Sequence, residues 1–160
     1  MIRLQGRPVF RDDSLSLVTK KVVYQAVVLG VLLYAAETWP AKQRDIRRLE
    51  GFHHRCLLSI LGIGRMQQRL QHISNEKVRQ WFGMPTSLEV TIACRRLQWL
   101  GHVARKEDSR LPKQFLFGWL SHPRPAHGVK LRWRDKVRRD LKRFHINENT
   151  WYALAHDRQS

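Results

Sequence analysis

A chain of 160 residues is one domain, or one domain with a small appendage, and its 42% hydrophobic share with six Trp and six Phe excludes wholesale disorder. Thirty Lys and Arg against thirteen Asp and Glu give a formal charge of +17, which points to a polyanionic partner. Two cysteines, Cys56 and Cys94, exclude a disulfide framework, and without a signal-peptide pattern they are expected as reduced thiols in an intracellular setting, nuclear or cytoplasmic.

The charge is unevenly spread. Residues 1–40 hold five basic and three acidic side chains, 41–80 nine and three, 81–144 fifteen and five, and 145–160 one and two. Residues 1–13 show no sustained period and read as an irregular lead-in. Ser14 or Ser16 then caps an apolar helix that runs toward Trp39 and stops before Pro40. From Val22 to Ala36 only Gln25 and Gly30 interrupt it. The run is shorter than the ~18–20 residues of a bilayer span, so a central buried helix is expected and no membrane partner.

Residues 42–61 form the clearest amphipathic helix. Ile46, Leu49, His53, Cys56, Leu57 and Ile60 recur at spacings of three and four, Arg44, Arg47, Arg48 and Arg55 lie opposite, and Gly62 and Gly64 supply the stop. After a polar link, Ser74 caps a short helix ending at Phe82 and Gly83. Pro85, Thr86 and Ser87 start a longer one to about Ala104. With Arg95 and Arg96 on the second helix, the pair has a helix-turn-helix-like outline, common in any helical protein.

Residues 105–130 are rich in loop signals, with a short helix expected over Lys113–Trp119 and a linker over Pro123–Gly128. Leu131–Phe144 is an amphipathic helix whose stripe is Trp133, Val137, Leu141 and Phe144, and a last short helix near Asn149 carries Trp151 and Tyr152. No stretch sustains the alternation of a strand. The expected class is all-α, with five to seven helices in an irregular bundle, divisible into two lobes: a lead-in (1–13), a helical domain (14–104), a loop-rich linker (105–130) and a basic helical segment (131–160).

Enzyme chemistry finds little footing. Asp12-Asp13 precedes a helix, where acids favour the helix dipole, and no converging carboxylates accompany it. His53, His54 and Cys56 lack a second ligand pair, since Cys94 lies 38 residues beyond Cys56, so no metal and no cofactor are expected. No nucleophile elbow and no phosphate-cradling glycine loop occurs. The specific signal is basic: between Lys130 and Arg143 eight Lys and Arg meet only Asp135 and Asp140. Such arrays neutralise phosphates and release counterions. The candidate contacts are Arg95, Arg96, Lys130, Arg132, Arg134, Lys136, Arg138, Arg139, Lys142 and Arg143, on RNA or DNA backbone. Trp133 lies among them, where it could stack on a base, but its spacing with Val137 and Leu141 reads as core.

Several words along the chain carry a family resemblance. Val23–Leu29 (VYQAVVL) and Leu32–Trp39 (LLYAAETW) are followed by Arg47–Phe52, Arg55–Leu57, Ile60–Ile63 and Asn75–Val78. Arg95–Arg105 (RRLQWLGHVAR), Arg110–Gln114, Trp133–Asp135, Asp140–Leu141, Trp151–Ala155 and Asp157–Arg158 continue the series in order. From about residue 15 onward the chain resembles the segment that follows the polymerase core in the endonuclease–reverse transcriptases of LINE-type, non-LTR retrotransposons. The resemblance implies a thumb-like, post-polymerase segment (14–104 within it) that helps hold template-primer while an upstream domain does the chemistry. The family's Y/F-A-D-D carboxylates, fingers, palm and endonuclease are not in this sequence, Ala35 stands where the family usually has Gly, and Arg124–Lys130 lacks the family's denser Gly-Arg-Pro run. The expectation is therefore a truncated element fragment, or a piece captured as a separate gene, acting as a non-catalytic nucleic-acid-binding module. The alternative is a protein-interaction or structural remnant with reverse-transcriptase ancestry alone, whose first apolar helix, deprived of a polymerase domain, is left to self-associate.

Overall fold

Every regular element of the computed structural model is helical among the residues it describes, 9–10, 12, 14–117 and 132–157. The chain divides into two compact units. The first comprises residues up to Tyr34 and Gln43–Thr91, the second Ala35–Lys42 and the chain from Ile92. The division at Thr91 and Ile92 falls inside a helix.

In the first unit, Ser16 starts α1 (residues 17–32), its hydroxyl accepting from the Thr19 amide at 3.1 Å. The helix is regular over Leu17–Val23, widens to a π-helix over Tyr24–Leu29, and returns to α over Gly30–Leu32. One face of α1 packs inward through Tyr24, Leu29 and Leu33. Tyr24 meets Phe82 edge-on at 5.5 Å and hydrogen-bonds through Oη to His53 Nδ1 at 2.7 Å. The opposite face is open: Val18 and Val31 are 71% and 77% exposed, with Val22, Val27 and Tyr34 also exposed. The expectation of a central buried helix is thereby corrected. The helical run Leu17–Thr38, 22 residues long, is long and apolar enough to cross a bilayer by length and composition, and only 22% of its apolar window is buried.

The helix α2 (Gln43–Ile60) buries Ile46, His53, Leu57, Leu58 and Ile60, and exposes Arg44, Arg47, Arg48 and Arg55, as its period requires. The polar link hides a short helix, α3 (Arg65–Leu70). In α4 (Asn75–Phe82) the Ser74 hydroxyl accepts from the Lys77 amide at 3.1 Å, and the helix buries Val78 and Phe82. It stops at Gly83, whose φ of 85° lets the Met84 amide reach back to the Arg79 carbonyl at 2.9 Å. A side chain there would be strained in the left-handed region.

The helix α5 (Leu88–Ala104) gives its first turn to the first unit and the rest to the second. The second unit adds a 3-10 turn (Ala36–Thr38), α6 (Leu111–Phe117), α7 (Trp133–Arg143) and α8 (Trp151–His156). Leu100, Val137 and Leu141 form its centre, with Leu97, Leu116, Trp133, Ile146 and Trp151 around them. Trp133 packs edge-on to Trp99 at 5.1 Å and donates its indole N–H to the Glu37 carbonyl at 2.6 Å, so the sequence reading of Trp133 as core agrees with its place here. Arg105 donates to the Ala155 carbonyl at 2.7 Å, tying α5 to α8. Eight helices are thus described, one more than the upper expectation, with α3 among those the sequence did not signal. The readings on 1–8, Arg11, Asp13, 118–131 and 158–160, including the linker Pro123–Gly128, lie outside the described residues.

Candidate nucleic-acid interface

The late basic helix turns out to be sorted by face. Across α7, Val137 and Leu141 sit in the core of the second unit and half-buried Trp133 packs against them, while Arg134, Arg138, Arg139, Lys142 and Arg143 are exposed, as is Arg132 just ahead of the helix. At 100° per residue these six cations fill one continuous half of the helix circumference. The Arg132 amide donates to Asp135 Oδ2 at 2.9 Å, which spends that acid on the helix start and fixes where the array begins. Arg138 is held by Glu148 at 2.6 Å, an exposed ion pair that a phosphate can compete with.

Two of the candidate contacts are placed differently from their sequence reading. Arg96 is 4% exposed and forms an ion pair with the buried Asp140. Its guanidinium is committed to the interior, and its Nε has no hydrogen-bond partner. Lys136 is 7% exposed on the buried side of α7. A group that is desolvated and engaged inside a core cannot neutralise a phosphate without unfolding its surroundings. Arg96 and Lys136 therefore leave the contact set. Arg95 is half-buried on α5. Lys130 lies outside the described residues.

The first unit carries its own exposed arginines on α2, of which Arg44 leans on Asp45 at 3.8 Å. Its buried polar pair, Tyr24 and His53, is internal. Burial holds the His53 imidazole at about 4, below its ordinary 6.5, and pushes the Tyr24 phenol and the half-buried Cys56 thiol up. His53 Nε2 has no hydrogen-bond partner. No group of three or more His, Cys, Asp or Glu able to hold a metal ion occurs among the described residues.

Sequence reasoning missed a pocket in the second unit. A cavity of about 440 Å3 opens between α6, α7 and α8, lined among others by Phe117, Trp133, Trp151 and Tyr152 and by Arg134 and Arg138. The Trp151-Tyr152 dipeptide was visible in the sequence, but its convergence with Phe117 and α7 was not.

The class these observations define is a basic, all-α protein with a one-sided cationic helix. The chain is similar, at 25% identity over 157 residues, to an uncharacterised transposon-derived protein of Caenorhabditis elegans, a likeness that takes in 93% of this chain and supports a transposon origin for it. The chain spans about 56% of that relative's length. No protein-family profile matches it, and no solved structure does.

Proposed function

We propose that this chain is a non-catalytic module that binds nucleic-acid backbone, left from the post-polymerase segment of a LINE-type reverse transcriptase. One observation carries the reading: six cations, Arg132, Arg134, Arg138, Arg139, Lys142 and Arg143, share the solvent face of a helix whose other face is core. A solvated basic surface on a chain of net +17 attracts phosphate at long range and releases condensed counterions on contact. The resemblance to the retrotransposon segment implies a nucleic-acid partner, and the transposon-derived relative supports a transposon origin, no more.

The test is binding of RNA and DNA across a salt series. Affinity falls with a log–log slope of roughly −0.9 per phosphate contacted on duplex DNA and about −0.7 on single strands. A triple variant, Arg134→Gln, Arg139→Gln and Arg143→Gln, lowers the magnitude of that slope by about three, one for each cation. Arg96→Gln and Lys136→Gln are not informative there, because both residues are buried. Affinity that stays flat between low and moderate salt is incompatible with the proposal. Primer extension with the purified chain gives no incorporation, and any dNTP addition would refute the non-catalytic assignment.

A second reading rests on α1. Its exposed row Val18, Val22, Val27, Val31 and Tyr34 is free of charge, an unusual surface for a chain this basic, and fits a protein partner such as a polymerase domain or a second copy.

A further inference from the structure

We propose that the aromatic pocket of the second unit receives an unpaired base, so that the chain prefers single-stranded nucleic acid over duplex. The inference rests on the backbone-binding reading and adds to it the kind of strand bound.

The pocket offers the three things an unpaired nucleotide needs. It is about 440 Å3, within the ~300–1,000 Å3 range of small-molecule sites. Its walls carry partly exposed aromatic rings: Phe117 is 42% exposed and Tyr152 40%, the latter with the Lys113 ammonium over its ring, 5.8 Å from the centroid. Phe117 lies parallel to Trp151, with an interplanar angle of 5° and centroids 6.2 Å apart, and edge-on to Tyr152 at 5.6 Å. The cluster is therefore held in place by its own contacts before any ligand arrives. Arg134 and Arg138, two members of the cationic face of α7, also line the pocket. A strand whose phosphates lie along that face brings its neighbouring base to the pocket mouth.

Polar groups in the lining suit a base edge. Glu148 and Asn149 are both part of it. The Glu148 carboxylate already accepts from Arg138 at 2.6 Å and can accept from an exocyclic amino group, while the Asn149 side-chain amide both donates and accepts. A paired base cannot enter, because its edge and both faces are taken up by the duplex. Stacking on aromatic side chains tolerates every base, so strand selection does not depend on sequence, while the Glu148 contact favours bases that carry an exocyclic amino group.

The experiment compares a short single-stranded RNA, the same strand with abasic positions, and the same strand in a duplex, across one matched salt series, for the wild type and for Phe117→Ala and Phe117→Leu. The wild type binds the intact single strand about tenfold or more tightly than the duplex or the abasic strand, given stacking losses of roughly 5- to 150-fold per base on alanine substitution. Phe117→Ala and Phe117→Leu both remove most of this preference and leave duplex affinity unchanged. The leucine keeps apolar bulk in the cluster without the ring, so its result separates stacking from packing. Equal wild-type affinity for strand and duplex, with the salt dependence intact, would overturn the pocket assignment alone. No salt-dependent binding to any of the three would overturn the backbone reading and this inference together.

Discussion

Ala35 occupies the left-handed region at φ 52°, where a Cβ costs roughly 1–2 kcal/mol. It is also where the resembling retrotransposon segment usually carries glycine. Ala35→Gly relieves the clash but loosens the unfolded chain by about 0.5–1 kcal/mol, so a net gain of about 0.5–1 kcal/mol is expected. A rise in the urea midpoint with unchanged slope checks it, and a fall would show that Ala35 is not strained. Asp140 works in the opposite sense. Its removal leaves Arg96 charged, desolvated and alone, so Asp140→Ala costs about 3–5 kcal/mol, while Arg96→Met with Asp140→Leu recovers much of it. A single-variant loss below about 1 kcal/mol would mean that Arg96 finds water, contrary to its burial. His53 gives a pH dependence. Its folded pKa, about 4, lies below the 6.5 of an exposed imidazole, so the unfolded chain takes up the proton first. The stability is whole above pH 6.5 and is lost as pH falls toward 4, by up to about 3 kcal/mol. His53→Gln should flatten the unfolding curve over that window, and an undiminished acid slope in the variant would assign the effect to other groups.

Among the elements, α1 makes the sharpest demand. Val18, Val22, Val27 and Val31 follow spacings of four, five and four, and the five falls where the helix widens to π geometry, so all remain on one face. The face across from them holds the buried Lys20, the Lys21 ammonium donating to the Trp81 carbonyl at 3.1 Å, and the Tyr24–His53 bond, so one side of the helix is packed and the other is open. Val27→Lys with Val31→Lys should abolish concentration-dependent association in sedimentation while shifting stability by no more than about 0.5 kcal/mol. A wild type that stays monomeric at every concentration would remove the self-association reading. The helices α2, α4 and α5 were legible to within a residue or two, because their apolar residues recur at three and four and Ser74 and Gly83 mark ends in a way that needs no tertiary information. The polar α3 has no such period. The exposure of α1 was illegible for the reverse reason: an all-apolar run has the same pattern whether core or partner covers it. Arg96 and Lys136 were read as surface from residue type, and what buries them, Asp140 44 positions after Arg96 and the packing side of α7, is a tertiary fact. The pocket escaped for that reason too, being assembled from α6, α7 and α8 across the segment 118–131.

At the scale of the whole molecule, a charge of +17 surrounds the chain with a positive field that draws polyanions at long range. The chain path places a further constraint on it. Residues 35–42 belong to the second unit, yet first-unit chain lies on both sides of them, and they are held there in part by the Trp133 indole on the Glu37 carbonyl. The backbone thus passes from one unit to the other three times, after Tyr34, after Lys42 and within α5. No single cut yields two intact halves. A truncation ending at residue 91 carries eight residues of the second unit with nothing to receive them, and the complementary piece lacks them. Neither unit is therefore encoded by one uninterrupted stretch of the chain.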